Sequence, residues 1–159
     1  MFQTKSGRLI SYYGIQFTSK IQRKDGKDHS IGSIDQLFGI LLDVWCRDTA
    51  YPNCQKDYDR ENDPTYGQCA ITSMLVYDMF GGTIHKIRVA GGGTHYFNMI
   101  NDHYIDLTRD QFDLYDIPLE YDQNEVVLRE YCGKNADTQK RYQLLIRLVS
   151  KWLSEHEVP

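Results

Sequence analysis

The segment 68–108 constrains the fold more than any other part of the chain, because a helical pattern passes directly into strand patterns. Apolar residues recur at helical spacing over residues 68–80, and Gly81 and Gly82 then supply the glycines that commonly end a helix. Three strand patterns follow, at residues 83–89, 94–100 and 104–108. One helix beside a small antiparallel sheet predicts an α+β fold.

The rest of the chain adds helices on both sides of this segment. Ser33-x-x-Gln36 fits a capping box and predicts a helix over residues 33–47. A polar stretch with two prolines, residues 49–64, is expected to be a long loop. Two further helices are predicted towards the end of the chain, at residues 124–131 and 137–154.

We expect a single domain over residues 1–159. Residues 1–30 alternate only weakly and predict a hairpin or an N-terminal arm, with Asp25-Gly26 as a turn. Residues 33–113 would form the core, and residues 124–155 would add the C-terminal helices. The sequence shows no internal repeat or linker.

Charge and composition argue against several classes of protein. The formal net charge is −4 and no basic stripe is present, so nucleic acid is not an expected partner. No apolar run is long enough for a signal peptide or a membrane span, which leads us to expect a cytoplasmic protein without a membrane partner. The four cysteines lack metal-ligand spacing, so we expect no metal and no cofactor. Without an export signal we expect reduced thiols, with a disulfide between Cys46 and Cys54 as the alternative.

Cys69 is the strongest candidate for a chemical role. It lies where the helix 68–80 begins, and a thiolate is favoured at a helix N-terminus and beside a histidine. His95 opens the second predicted strand and could act as the base, while Asp106 in the third strand could orient it. Nucleophilic catalysis by a thiol needs these three groups in these roles.

The proposed triad makes a specific geometric demand. A two-residue turn at Asn101-Asp102 would place His95 and Asp106 on the same face of the hairpin, as diagonal neighbours. A three-residue turn would shift the register and put them on opposite faces.

Several motifs resemble those of the YunG-like proteins, a small bacterial family. They are "VWCRDTAYP", "DPTYGQCAITSMLVYDMFGG" and "GGGTHYFNMINDHYIDLTRDQF", which together cover roughly residues 35–113. The resemblance implies a family assignment and carries no activity with it. The order of Cys69, His95 and Asp106 also resembles the papain-like and transglutaminase-like thiol enzymes, and this implies a core of that type.

Papain-type enzymes carry an oxyanion-stabilising glutamine several residues before the cysteine. In this chain Gln68 is adjacent to Cys69 and Gln55 lies much further upstream, so both are candidates that depart from that pattern. Trp45 could wall a substrate cleft or fill the core.

These observations predict a cysteine-dependent amide or acyl hydrolase or acyltransferase, acting on a peptide, protein or small amide or acyl substrate. The leading alternative is an inactive protein of the same fold that binds a peptide or protein partner. A small-molecule sensor or an immunity-type accessory protein is a third interpretation. The sequence does not choose between hydrolysis and transfer, and it does not indicate an oligomeric state.

Overall fold

Six short strands form two antiparallel sheets in the computed structural model, which describes residues 2–24 and 31–156. The strands are β1 (Phe2–Gln3), β2 (Leu9–Ile10), β3 (Thr83–Arg88), β4 (Thr94–Ile100), β5 (His103–Ile105) and β6 (Glu125–Val127). β1 pairs with β2, and the larger sheet has the order β5-β4-β3-β6.

The described residues also form six α-helices, most of which pack against one another. They are α1 (Ile34–Val44), α2 (Pro52–Gln55), α3 (Cys69–Phe80), α4 (Asp110–Asp113), α5 (Arg129–Gly133) and α6 (Ala136–Glu155). Short 3-10 helices occur at Ile15–Lys20, Arg47–Thr49 and Tyr121–Gln123. The fold is therefore α+β, as the sequence predicts.

The capping box predicted for α1 is present. The Ser33 side chain accepts a hydrogen bond from the Gln36 N–H at 3.1 Å, and Gln36 Oε1 accepts one from the Ser33 N–H at 3.1 Å. The helix ends at Val44 rather than near residue 47, because the chain turns at Trp45 and continues into a 3-10 helix.

Helix α3 forms the centre of the core. It packs against β4 and α6, and the run Ile71–Val76 is buried on all sides of the helix rather than on one face. A helix enclosed by a sheet and other helices needs no polar face. Gly81 ends α3 at φ 83°, a conformation that favours glycine.

The β4–β5 hairpin has a two-residue turn, which is the turn length that the proposed triad requires. Asn101 and Asp102 have φ values of 52° and 67°, and Ile100 pairs with His103. Beyond the end of β5, Asp106 pairs through its backbone with Tyr13 of the N-terminal segment, with both N–H to O distances at 3.1 Å. The N-terminal segment therefore extends the sheet edge at Asp106.

The structure corrects two expectations. Residues 124–131, predicted to be a helix, instead contain strand β6 followed by the start of α5, because the β-branched Val126 and Val127 pair with β3. The predicted loop 49–64 contains the short helix α2. Within residues 1–30, for which the sequence predicts a hairpin or an arm, β1 and β2 form a short hairpin, and the residues that follow include the 3-10 helix Ile15–Lys20. The Asp25-Gly26 turn lies outside the described residues.

Replacing Ser33 with alanine removes the side-chain acceptor of the α1 cap. We expect Ser33→Ala to lower the free energy of unfolding by about 1 kcal/mol, measured by urea denaturation. Ser19→Ala is the control, since Ser19 is exposed and caps no helix, and its effect should stay within about 0.5 kcal/mol. Equal effects of the two substitutions would contradict the role given to the cap.

Candidate functional site

Cys69 is held in place by the loop that precedes it. Gly67 has φ 73°, its carbonyl accepts from the Tyr51 N–H at 2.8 Å, and its N–H donates to Gln111 Oε1 at 3.3 Å. A Cβ atom at position 67 would lie 2.8 Å from the Cys54 Cβ. Backbone conformation and close packing both require glycine here, so the start of α3 has little freedom to move.

The first turn of α3 carries free hydrogen-bond donors beside the thiol. The first helical bond runs from the Thr72 N–H to the Gln68 carbonyl at 3.2 Å. Within the described residues, the N–H groups of Cys69, Ala70 and Ile71 have no acceptor. Together with the positive end of the helix dipole, such donors can stabilise an anion that forms near the sulfur.

His95 is fully buried, with 0% of its surface exposed, and its ring lies between a carboxylate and the thiol. Nε2 is 2.7 Å from Asp106 Oδ2. Burial disfavours the imidazolium, but Asp106 outweighs this effect and raises the pKa of His95 to about 10, with a further contribution from the nearby Cys69 thiol. His95 Nδ1 has no hydrogen-bond partner among the described residues, so it is the nitrogen left for the thiol.

Asp106 is held as an ion by hydrogen bonds to both of its oxygens. The Tyr121 hydroxyl donates to Oδ2 at 2.7 Å, and the Thr108 N–H donates to Oδ1 at 3.1 Å. Asp106 is 1% exposed and burial opposes its ionisation, but His95 and these donors lower its pKa below the usual value. The carboxylate is thereby positioned to stabilise and orient the His95 ring.

Tyr121 is the residue that the sequence analysis missed. It lies in the 3-10 helix Tyr121–Gln123, and its hydroxyl accepts from Arg109 Nη1 at 3.1 Å while donating to Asp106. A tyrosine fifteen positions after the carboxylate carries no local signal, and chain folding alone brings it to the site.

The structure brings Cys69, His95 and Asp106 together, but it places the other candidates elsewhere. The Gln68 side chain is buried and donates to the Cys46 carbonyl at 3.0 Å, and Gln55 donates to the Ala50 carbonyl at 3.0 Å. Trp45 is fully buried and donates to Thr72 Oγ1 at 3.1 Å. Neither Gln68, Gln55 nor Trp45 lines the cleft at Cys69, because each is engaged within the core or its adjoining loops.

A cleft of about 680 Å³ opens at Cys69 and His95. Its wall includes residues from the loop before α3, from β4, from the end of α5 and from α6. Among them are Tyr51, Tyr66, Tyr96, Tyr131, Lys134 and Arg141. A second hollow of about 790 Å³ lies near the N-terminal hairpin, but no cysteine or histidine lines it among the described residues. The thiol and the histidine therefore line the same cleft.

The described residues contain no group of three or more histidine, cysteine or acidic side chains that could hold a metal ion. All four cysteines are free thiols. No helix within residues 2–24 and 31–156 is both long and apolar enough to cross a membrane.

The fold and the site define an α+β protein with a thiol and a buried histidine–aspartate pair beside one cleft. Residues 33–154 match the family described as YunG protein, which is more than half of the chain, so this protein belongs to the YunG family. The match reaches through α6, whereas the sequence motifs indicated the family only for residues 35–113.

One relative in Bacillus subtilis (strain 168) is described as "Uncharacterized protein YunG". It is 43% identical over 61 residues, which make up 38% of this chain and 50% of the relative. The chain thus spans about half the length of that curated relative. No solved structure matches this chain.

The buried ion pair makes stability depend on pH. The folded pKa of His95, about 10, lies above its ordinary value of 6.5, so its contribution is complete below pH 6.5 and is lost as the pH rises through about 10. The pKa of Asp106 is lowered, so its contribution is present above the ordinary aspartate pKa of about 4 and is lost in acid.

We expect Asp106→Asn to lower the free energy of unfolding at pH 6.5 by about 3–5 kcal/mol, because it leaves a buried histidine without its counter-charge. The difference from wild type should narrow between pH 7 and pH 10, as measured by urea denaturation. Asp113→Asn is the control, since Asp113 is exposed and pairs with Arg109 on the surface. If the difference in unfolding free energy between wild type and Asp106→Asn does not change with pH, His95 and Asp106 do not form an ionised pair.

Proposed function

We propose that this protein is a cysteine-dependent amide or acyl hydrolase or acyltransferase, with Cys69 as nucleophile, His95 as base and Asp106 as the orienting carboxylate. The observation that carries the proposal is the setting of the His95 ring. One nitrogen faces a fixed carboxylate, and the other is unpaired beside a thiol at the start of a helix. Both the thiol and the imidazole line the same cleft.

The geometry supports a stepwise mechanism. The proton of the Cys69 thiol passes to His95 Nδ1 before the substrate binds, so the resting site is a thiolate beside an imidazolium. The sulfur then attacks the carbonyl carbon of an amide or ester. The electron pair of the broken carbonyl π bond moves to oxygen, where the N–H groups of Cys69 and Ala70 can stabilise the charge. Collapse expels the amine or alcohol, which takes the proton from His95, and leaves a thioester on Cys69.

The thioester is then resolved by a second acyl acceptor. Water activated by His95 would give hydrolysis, and an amine would give transfer. Asp106 keeps the imidazolium oriented in both halves of the reaction, and Tyr121 and Thr108 hold the carboxylate. We also propose that the core is papain-like or transglutaminase-like. A thiol at a helix N-terminus precedes, along the chain, a histidine on an antiparallel sheet, as it does in those enzymes.

A second candidate is an inactive relative that binds a peptide or protein partner in the same cleft. One observation favours it, since His95 Nδ1 forms no hydrogen bond with any group in the described part of the chain, the Cys69 sulfur included. Catalytic hydrogen bonds are often long in the absence of substrate, so the missing bond does not contradict the enzymatic function.

Thiol reactivity separates the two functions. We expect iodoacetamide to alkylate Cys69 rapidly at pH 6, with each cysteine resolved by mass spectrometry across pH 4–10. Cys54 and Cys132 should react slowly at that pH, because burial raises the pKa of both thiols, that of Cys132 to about 11. His95→Ala should slow the reaction of Cys69 at pH 6 by roughly 10²-fold.

His85→Ala provides the matched control, because His85 is also a buried, hydrogen-bonded histidine of the sheet but does not line the cleft. It should leave the Cys69 rate within about twofold of wild type. If Cys69 reacts only above pH 8, or reacts equally fast without His95, the enzymatic proposal fails and the binding function becomes the better account.

A further inference from the structure

The cleft at Cys69 differs in charge from the protein as a whole. The chain holds 22 acidic and 18 basic residues. Among the described residues that line the cleft, however, there is no aspartate or glutamate, while Lys134 and Arg141 both contribute to its wall. The cleft at Cys69 is therefore lined by basic but not by acidic side chains, although the protein is acidic overall. A cleft lined by one sign of charge concentrates ligands of the opposite sign.

Arg141 forms a rigid part of this wall. It is 4% exposed, its Nε donates to Asp137 at 2.8 Å, and its Nη1 donates to the Thr49 carbonyl at 3.1 Å. Nη2 has no acceptor within the described part of the chain, so one fixed donor remains for a ligand. Asp137 balances much of the Arg141 charge. Arg141 therefore contributes to the wall mainly as a directional hydrogen-bond donor, and only weakly as a positive charge.

Lys134 supplies the unbalanced positive charge. Its ammonium lies 4.4 Å from the centre of the Tyr131 ring and forms no ion pair with a described carboxylate. The ring steadies the lysine without neutralising it. Asn135, the next residue, caps α6 by accepting from the N–H groups of Asp137 and Thr138, so the positive end of the α6 dipole lies at the same wall.

Four further ionisable groups of the wall, two phenols and two thiols, do not cancel the charge of Lys134. The pKa of Tyr66 is raised to about 12 by the hydrogen bond with Cys54 and by burial, and burial raises that of Tyr96 to about 12 as well. Burial also raises the pKa of the Cys54 and Cys132 thiols. These phenols and thiols remain neutral at physiological pH, so they add no negative charge beside Lys134.

We propose that the substrates are acyl compounds that carry a negatively charged carboxylate near the reacting carbonyl, bound by Lys134 and Arg141. This inference names the substrate class of the proposed thiol chemistry and rests on that function. Tyr51 and Tyr131 would flank the ligand, since Tyr51 lies under the Arg141 guanidinium at 5.8 Å and Tyr131 lies under Lys134. A small acidic amide, or a peptide with an acidic residue or free C-terminus at the scissile bond, fits this description.

A pair of alkylating agents that differ in charge tests the proposal directly. Equal concentrations of iodoacetate and iodoacetamide compete for the protein at pH 8.5, and mass spectrometry gives the ratio of the two products at Cys69. Free N-acetylcysteine sets the intrinsic ratio, and Cys46, which does not line the cleft, is an internal reference. At this pH an ordinary thiol is partly ionised, so the ratio does not depend on activation by His95.

We expect the iodoacetate share at Cys69, relative to N-acetylcysteine, to be raised roughly fivefold at low ionic strength and to fall when salt is added. Lys134→Gln should remove most of the enrichment, Lys134→Glu should reverse it, and Lys134→Arg should keep it. Lys140→Gln is the matched control, because Lys140 is an exposed lysine of α6 outside the cleft, and it should leave the ratio unchanged.

The outcomes separate this inference from the function on which it rests. A ratio at Cys69 equal to that of N-acetylcysteine, or one that ignores the charge of residue 134, overturns the substrate class even if Cys69 is activated at pH 6. An enriched ratio with no activation at pH 6 supports an anion-binding cleft and overturns the catalytic role. If neither reagent reaches Cys69 at pH 8.5, both proposals fail. Unchanged thermal unfolding of the Lys134 variants shows that the ratios report folded protein.

Discussion

The buried contact between His95 and Asp106 is the interaction on which the rest of the site depends. It places an ion pair with almost no exposure to water at the edge of a four-stranded sheet. Such a pair is stable only when surrounding groups satisfy its remaining hydrogen-bonding capacity. Tyr121 and Thr108 satisfy the Asp106 carboxylate by donating hydrogen bonds to it. Because Tyr121 lies in the 3-10 helix after α4 and Thr108 follows the β4–β5 hairpin, these bonds hold both segments at Asp106.

The thiol is positioned from a different direction. Gly67 and Gln111 join the loop before α3 to the chain that follows Asp106, so the nucleophile and the carboxylate are parts of one connected framework. Arg141 links α6 to the same region through the Thr49 carbonyl. Shared contacts therefore hold both Arg141 and the groups of the proposed chemistry, Cys69 and Asp106. These contacts explain how a chain of 159 residues can form a defined cleft.

Sequence reasoning succeeded where local rules decide the outcome. The α1 cap follows from Ser33 and Gln36, and the hairpin register follows from the two-residue turn at Asn101-Asp102, because both depend on residues close in the chain. It failed at residues 124–131, where pairing with β3 overrode a helical interpretation. It also placed Gln68 near the chemistry, whereas the core takes up that side chain through the Cys46 carbonyl.

The sequence by itself determined the α+β class and the start of a helix at Cys69, since hydrophobic period governs both. It reduced the shared face of His95 and Asp106 to a question of turn length, which the structure settles as two residues. Only the tertiary structure decided what surrounds them. Tyr121 reaches Asp106, and Lys134 and Arg141 reach the thiol cleft, across separations for which no local pattern exists. The physical reason is that desolvation and charge in a site depend on every segment packed around it, and those segments are brought together only when the core closes.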